Sequence, residues 1–369
     1  MAHPSTCPPL TRESVLEAHR LVAPHVHRTP VVTCRTLSEL ASRPRSPADL
    51  AGTPWAGRTP ARPRFRLWFK CENLQRVGAF KVRGAFHALL RLMREEGWLE
   101  GGGRSNGVVT HSSGNHAQAL ALAAKELGLP AHVVMPSISA TPKIAATKDY
   151  GANVVFSGST SEEREAVTAR VMADTGARLV PPYDHPDIIL GQGTMGLELQ
   201  DQGTDGLDAI MTPCGGGGML SGVGLSCEGT GILVFGAEPS FQGADDGRRG
   251  YYSHQRVEAV SSLTIADGLR TPVGHHPWAI IHDRGLVSGM FSVSEAEILA
   301  AMRLLFERAK LFVEPSACVG LAVALFNEDF RATVEQSAGD RGWDLGLVLS
   351  GGNVGLDALS AMFAEELRP

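Results

Sequence analysis

The sequence predicts an α/β protein built from parallel sheets whose faces are covered by helices, arranged as two domains. Short apolar segments alternate with amphipathic helical segments, and this alternation is typical of a parallel sheet. The chain has 369 residues, more than one core usually serves, so two domains are the default expectation. Its 42 glycines cluster, and one cluster follows a predicted strand, where α/β sheets bind ligands.

Composition excludes several classes of function. With 43% apolar and 20% charged residues, the chain has the composition of a soluble globular protein, and its net charge of -5 does not favour nucleic acid as a partner. We expect no membrane helix, because the apolar runs fall short of about 20 residues. We also expect no secretory signal, because the start of the chain is polar. The six cysteines are scattered without a CxxC pair, which favours a reducing, cytoplasmic location.

Two predicted domains divide the chain, a large one over 1–105 and 184–369 and a small one over 106–183. The predicted strands are 67–70, 107–111, 131–135, 153–156, 208–211, 231–237, 286–291 and 345–349. The predicted helices are 11–27, 82–94, one ending near Leu127, 142–150, 160–176, one through Leu197 and Leu199, 294–309 and 357–366. The stretch 41–66 is rich in proline and arginine, and we expect a surface insertion there, either a solvated loop or an anion-binding patch.

Four consecutive glycines, Gly215–Gly218, lie between a buried strand and the start of a helix. Such a run is costly unless the backbone must approach something closely. Exposed backbone N–H groups and the helix dipole together make an anion site, and the spacing is that of neither a dinucleotide motif nor an ATP loop. The run therefore favours a compact monophosphate, with a tight packing turn as the alternative.

Lys81 lies between the bulky Phe80 and a close-packed Arg-Gly turn into a helix. A lysine in apolar surroundings loses hydration, so the pKa of its amine falls and it becomes a nucleophile able to form a Schiff base. The alternative is a solvated lysine at a helix start. A polar loop around Ser112–His116 follows another predicted strand, where it is either a ligand loop or a helix cap. A lysine, a monophosphate site and a polar loop together indicate pyridoxal 5'-phosphate.

At these positions the sequence resembles the fold type II pyridoxal-phosphate enzymes (tryptophan synthase β-like), and within them the serine racemase, serine-threonine dehydratase and 3-hydroxyaspartate ammonia-lyase group. The resemblance runs in the family's order over nearly the whole chain. The matching segments are 70–75, 78–85, 112–118, 191–194, 215–218, 264–268 and 350–353. It implies two α/β domains with the cofactor in the cleft between them, and commonly a homodimer.

The resemblance also implies roles for individual residues. Lys81 would hold the cofactor covalently and move protons on one of its faces, and Ser113 would be the acid/base on the other face. The cofactor-binding residues would be Lys81, Phe80, Asn115, Gly215, Gly216, Gly217, Gly218, Met219 and Ser350. The substrate-binding residues would be Ser112, Ser113, Asn115, His116, Arg164 and Arg270. A serine hydroxyl facing the ring nitrogen leaves the ring neutral, which favours β-elimination over transamination.

A divalent-cation site is implied as well, formed by Glu238, the carbonyl of Ala244 and Asp246. Hard oxygen ligands suit Mg²⁺, or alternatively Ca²⁺ or Mn²⁺. The loop between Glu238 and Asp246 is two residues longer than the family pattern, so a solvated acidic turn stays open as an alternative.

The predicted function is racemisation and/or dehydration of serine-like β-hydroxy α-amino acids, by removal of the Cα proton followed by reprotonation or loss of water. Arg270 could meet a second carboxylate, which makes a dedicated threo-3-hydroxyaspartate ammonia-lyase the main alternative. Further alternatives are a threonine deaminase, a β-replacement synthase and a pyridoxal-phosphate-binding protein without turnover.

Overall fold

The computed structural model describes residues 4–112, 114–139, 141–203 and 206–366. Within these residues the strands are β1 (Val31–Thr33), β2 (Phe65–Cys71), β3 (Val108–His111), β4 (Ala131–Pro136), β5 (Asn153–Ser157), β6 (Arg178–Leu179), β7 (Ala209–Pro213), β8 (Leu233–Pro239), β9 (Gly289–Val293) and β10 (Trp343–Leu349). The helices are α1 (Arg12–Val22), α2 (Arg35–Ser42), α3 (Pro47–Leu50), α4 (Lys81–Leu92), α5 (Arg104–Asn106), α6 (Asn115–Leu127), α7 (Thr141–Asp149), α8 (Ser161–Thr175), α9 (Pro186–Gln202), α10 (Gly218–Cys227), α11 (Asp246–Ser253), α12 (His275–Trp278), α13 (Glu295–Leu304), α14 (Pro315–Phe326), α15 (Glu328–Ala338) and α16 (Leu356–Glu366).

The larger sheet has the strand order β1-β2-β10-β7-β8-β9. Only β1 is antiparallel to its neighbour among the described strands. Every residue of the central strand β10 is buried, since helices cover both faces of the sheet. Neighbouring residues of β10 enter opposite cores: Leu347 packs with α2, α13, α14 and α15, and Val348 packs with α9 and α10.

The smaller sheet, β5-β4-β3-β6, is parallel throughout the described strands. Val133 on β4 faces α4 and α6, whereas the next residue, Val134, packs against α8. Helices therefore pack on both faces of each sheet, which confirms the predicted α/β class. The four strands lie within the range of the predicted small domain, whose exact limits stay a prediction.

The stretch 41–66 differs from the expected loop, although much of it lies at the surface. It contains α3 and the first residues of β2, and it buries Leu50, Trp55 and Phe65. Two of its polar groups bind to side chains of α15: Arg58 forms an ion pair with Asp329 at 2.7 Å, and the Ala61 N–H donates to the Glu328 carboxylate at 2.8 Å. The sequence does not reveal this packing, because the apolar residues of the stretch are widely spaced among prolines and arginines.

A buried cluster of alternating charges lies beside α4. Arg83 Nε donates to Glu72 Oε2 at 2.8 Å, and a terminal nitrogen of Arg83 donates to Glu198 Oε1 at 2.7 Å. Lys70 Nζ donates to the other Glu198 oxygen at 2.6 Å. Removing one partner would leave an uncompensated buried charge, so the cluster holds one geometry. Because Arg83 is two residues after Lys81, the cluster fixes the start of α4.

None of the helices in the described ranges has both the length and the apolarity that crossing a membrane requires. All six cysteines carry free thiols. Burial raises the pKa of the Cys214 and Cys318 thiols, so these two side chains act in packing rather than as nucleophiles.

Candidate active site

The site is assembled where strands of both sheets end. β3 leads into Ser112, β7 into Gly215 and β10 into Ser350, and α4 begins at Lys81. Carboxyl ends of parallel strands are the usual ligand position in α/β folds. The antiparallel bridge between Ala79 and Gly351 joins the lysine segment to the end of β10.

The Lys81 amine is held in a partly buried position. Its Nζ donates to the Pro182 carbonyl at 2.8 Å and lies 5.1 Å from the centre of the Phe80 ring. Burial lowers the pKa of Lys81 to about 8, and the nearby Glu314 carboxylate opposes this shift. A substantial neutral fraction is therefore present close to physiological pH, as a nucleophilic amine requires.

The glycine turn is closely packed by the protein itself. Gly217 has φ +83°, in the left-handed region that favours glycine. A Cβ on Gly216 would lie 2.3 Å from the Tyr183 ring, and one on Gly215 would lie 2.9 Å from Leu269 Cα. Tyr183 follows Pro182, so the lysine acceptor and the packing of the turn belong to one segment.

The same turn also presents donors. Within the described chain, the N–H groups of Gly215–Met219 donate no hydrogen bond to protein, as expected for residues before and within the first turn of α10. Unpartnered N–H groups at a helix N-terminus form an anion site. The close packing of the glycine run is therefore observed, and its phosphate-binding role stays a prediction that these N–H groups suit.

A network around Glu314 lies behind this site. Asn115 Nδ2 donates to Glu314 Oε1 at 2.9 Å, and the Asn353 N–H donates to Glu314 Oε2 at 3.1 Å. Asn353 Nδ2 also donates to Asn115 Oδ1 at 2.9 Å. Burial, and next the charge of Asp267, raise the pKa of Glu314 to about 7. A carboxyl with this pKa changes protonation in the physiological range beside the reactive lysine.

Sequence reasoning did not find Glu314. It is the N-cap of α14, directly before Pro315 at the start of an apolar helix. A carboxylate at the entrance to a fully buried helix is the signal that could have revealed it. Ser350 is buried beside Phe80, whose N–H donates to the Ser350 carbonyl at 3.1 Å, and its position at the cofactor ring nitrogen stays a prediction.

The predicted substrate residues of the 112–116 loop lie in different surroundings. Ser112 Oγ accepts from the Gly114 N–H at 3.3 Å, at the head of α6, and Ser113 lies outside the described residues. The side chain of His116 is instead directed into the protein, with Nε2 3.2 Å from the Val180 carbonyl, and burial lowers its pKa to about 3. The imidazole is therefore neutral and packed inside the protein, and the place of His116 in the substrate loop stays a prediction.

The two predicted substrate-binding arginines, Arg270 and Arg164, lie in different parts of the structure. Arg270 Nε donates to the Thr264 carbonyl at 2.9 Å, and a terminal nitrogen donates to the same oxygen at 2.6 Å. The guanidinium thus contacts the 263–264 backbone, and its contact with a second substrate carboxylate stays a prediction. Arg164, on α8, lies near His111 at the end of β3 and contributes, after burial, to lowering the pKa of that histidine.

Glu238 and Asp246 form a buried acidic pair. The Glu238 oxygens accept from the N–H groups of Gly247 and Arg248 at 3.1 and 2.7 Å. Burial and next the Asp246 charge raise the pKa of Glu238 well above its ordinary value, and burial raises the pKa of Asp246 to about 6. Asp246 Oδ1 is buried without a hydrogen-bond partner in the described chain, and Ala244 beside it is also buried. This donor set fits a hard divalent cation.

Comparison with known proteins gives the family. Residues 51–340 match the family described as "Pyridoxal-phosphate dependent enzyme". The chain belongs to this family. The pyridoxal-phosphate-dependent enzyme is 40% identical to serine racemase of Arabidopsis thaliana, with 94% of each chain covered. It is 38% identical to L-threo-3-hydroxyaspartate ammonia-lyase of Saccharomyces cerevisiae, with 96% of each covered. The solved structure of maize serine racemase superimposes with a TM-score of 0.81 at 37% identity, covering 97% of this chain and 98% of that one.

The residues of this pyridoxal-phosphate-dependent enzyme fit the cofactor. Lys81 supplies a nucleophilic amine, and the unpartnered N–H groups of Gly215–Met219 suit the charge of a phosphate. The predicted fold type II is confirmed by the family match and the structural relatives.

Replacing Glu314 by Gln tests the protonation of this carboxyl. Its pKa of about 7 in the folded state exceeds its ordinary value of 4.5, so the folded state binds more protons between those values. Glu314 therefore makes the free energy of unfolding fall as pH rises from 4.5 to 7. We expect Glu314→Gln to remove this part of the slope in chemical denaturation of the holoenzyme.

The exposed Glu258 offers a matched control, since its side chain is 86% exposed. Glu258→Gln should keep the wild-type slope. A constant difference in stability between the wild type and Glu314→Gln from pH 4.5 to 7.5 would contradict this account.

Proposed function

We propose that this enzyme racemises and/or dehydrates serine-like β-hydroxy α-amino acids. The observation that carries the proposal is the Lys81 amine, with a pKa lowered to about 8, bonded to the segment that packs on the glycine turn. The similarity to a serine racemase and a 3-hydroxyaspartate ammonia-lyase over nearly the full chain supports the reaction class.

We assign the cofactor contacts as follows. Lys81 would hold the aldehyde and the N–H groups of Gly215–Met219 would hold the phosphate; on the family resemblance, Ser350 would lie at the ring nitrogen and Asn115 near the ring oxygen. Bound pyridoxal phosphate supplies an electron sink that stabilises the charge left on Cα when its proton is removed. Phe80, packed below the amine, excludes water from one side.

The chain's own groups then move the protons. The Lys81 amine accepts the proton from Cα on one face, which suffices for elimination once the β-hydroxyl departs. Racemisation also needs a proton on the opposite face, and we assign that role to Ser113 on the resemblance. Ser112 and the N–H groups at the start of α6 are assigned to the substrate carboxylate.

Serine is the first substrate choice over 3-hydroxyaspartate. Arg270 keeps its charge but donates from Nε and one terminal nitrogen to the Thr264 carbonyl, so a second carboxylate would have only its other N–H donors available. Because one full-length relative acts on L-threo-3-hydroxyaspartate, that compound remains the second candidate.

Product analysis tests the activity. We expect holoenzyme with L-serine to form pyruvate, D-serine or both, and Lys81→Ala to lower turnover by about 10³-fold or more because the proton acceptor is lost. Lys125→Ala, which removes an exposed lysine on α6, serves as control and should keep wild-type activity. Both threo and erythro 3-hydroxyaspartates are assayed in parallel for oxaloacetate. Absence of pyruvate, D-serine and oxaloacetate in all reactions would remove the proposal.

We also propose that Glu238, the Ala244 carbonyl and Asp246 hold Mg²⁺. Burial is the main cause of the raised pKa of both carboxyls, and the Asp246 charge adds to it at Glu238, so a bound cation would favour the charged form of both. The family resemblance further supports a homodimer, and the free thiols are consistent with a cytoplasmic location.

Mg²⁺ should stabilise the enzyme through this pair. We expect EDTA to lower the melting temperature of the holoenzyme and millimolar Mg²⁺ to restore it, by preferential binding to the folded state. Asp246→Asn should abolish the Mg²⁺-dependent shift while leaving the metal-free protein no less stable, since one repulsive charge is gone. The control Asp340→Asn changes a carboxylate that is 96% exposed. A Mg²⁺ response retained in Asp246→Asn would place the cation elsewhere.

A further inference from the structure

Two histidines meet at the surface where α11 ends. His254 is the C-cap of α11 and has a positive φ of 57°, which turns its ring towards the segment Ala279–Asp283. In that segment, Nε2 of His282 lies 2.9 Å from Nδ1 of His254. Neither histidine takes part in the site described above.

A neighbouring carboxylate sets the tautomer of His282. Nδ1 of His282 lies 2.9 Å from Asp283 Oδ1, and since a carboxylate only accepts, this nitrogen carries the proton. Nε2 of His282 therefore presents a lone pair towards His254. Trp278 stacks on the His282 ring at 4.6 Å with planes 9° apart, which fixes the ring orientation.

The two nitrogens have the separation of adjacent ligands on one metal ion. Metal–imidazole bonds are about 2.0–2.1 Å long, so nitrogens 2.9 Å apart subtend roughly 90° at a shared ion. This is the angle between neighbouring ligands in square-planar and octahedral coordination, which Ni²⁺ and Cu²⁺ adopt with imidazole. A carboxylate hydrogen-bonded to the far nitrogen of a ligating histidine is the usual supporting contact of such sites.

We infer that His254 and His282 form a binding site for a divalent transition-metal ion, with Asp283 supporting His282 and water completing the coordination. In the metal-free state the proton of His254 Nδ1 bridges the two rings. When the ion binds, this proton moves to Nε2 of His254, so that both histidines ligate as neutral imidazoles. The site takes imidazole-preferring ions, in contrast to the oxygen donors of Glu238 and Asp246 at the other end of α11.

Another cluster of possible ligands is less suitable. Cys7, His185 and Asp187 have ligand atoms within 4.8 Å of one another. However, Nδ1 of His185 accepts the Asp187 backbone N–H at 3.1 Å, so in the neutral ring the proton is on Nε2, the nitrogen 3.9 Å from the Cys7 sulfur. Burial raises the pKa of the Cys7 thiol to about 12, which disfavours the thiolate that binds metal.

Calorimetric titration tests the site. Untagged holoenzyme is treated with EDTA, desalted and titrated with NiCl₂, with ZnCl₂ and MgCl₂ as comparisons. We expect a single Ni²⁺ to bind per chain, and His254→Gln and His282→Gln each to remove that binding. Asp283→Asn should weaken it by about 10-fold, because the supporting hydrogen bond is weakened.

His275→Gln is the matched control, since His275 is an exposed histidine of the same surface whose Nε2 contacts Arg256. It should keep wild-type Ni²⁺ binding, and circular dichroism should show all variants folded. Absence of Ni²⁺ binding in the wild type would overturn the inference. Equal binding in His254→Gln and His282→Gln would overturn it as well, by locating the ion at another group such as the Cys7 cluster.

Discussion

The desolvated amine of Lys81 is the constraint on which the rest of the site depends. In the proposed reaction this amine must stay where the cofactor aldehyde would bind, and the buried pairing of Arg83 with Glu72 and Glu198 fixes the helix that begins at Lys81. Buried ion pairs contribute little net stability, yet they are costly to break, so they serve well to fix one geometry. The charge cluster thus contributes mainly by fixing the position of the Lys81 amine, and little to the free energy of unfolding.

The architecture brings the remaining groups to that nitrogen. Strands of both sheets end at the site, so segments far apart in sequence contribute a turn of N–H donors, a serine and an amide side chain. One short segment serves two parts of the site: the Tyr183 ring packs on Gly216, and the carbonyl of the preceding residue, Pro182, accepts a hydrogen bond from Lys81. Glu314 then links Asn115 to Asn353, which ties the smaller sheet's helix α6 to the end of β10.

The sequence alone predicts the α/β class, the reactive lysine and the glycine turn, because each leaves a local signal: alternating periods, an unusual glycine run and a lysine at a helix start. It does not predict Glu314, whose role comes from partners about 200 residues earlier in the chain, such as Asn115. The packing of 41–66 against α15 is concealed for the same reason, as is the use of Arg270 as a backbone brace. The inward direction of the His116 ring is likewise hidden in the sequence, because burial is a property of the tertiary fold.

The most direct test of this account is chemical trapping of the cofactor. Holoenzyme is reduced with borohydride, digested and mapped by mass spectrometry. The account predicts a pyridoxyl phosphate adduct on the peptide that contains Lys81, with the unlabelled form of that peptide depleted. An adduct on another lysine, such as Lys70 or Lys143, or no adduct in protein supplied with the cofactor, would contradict it.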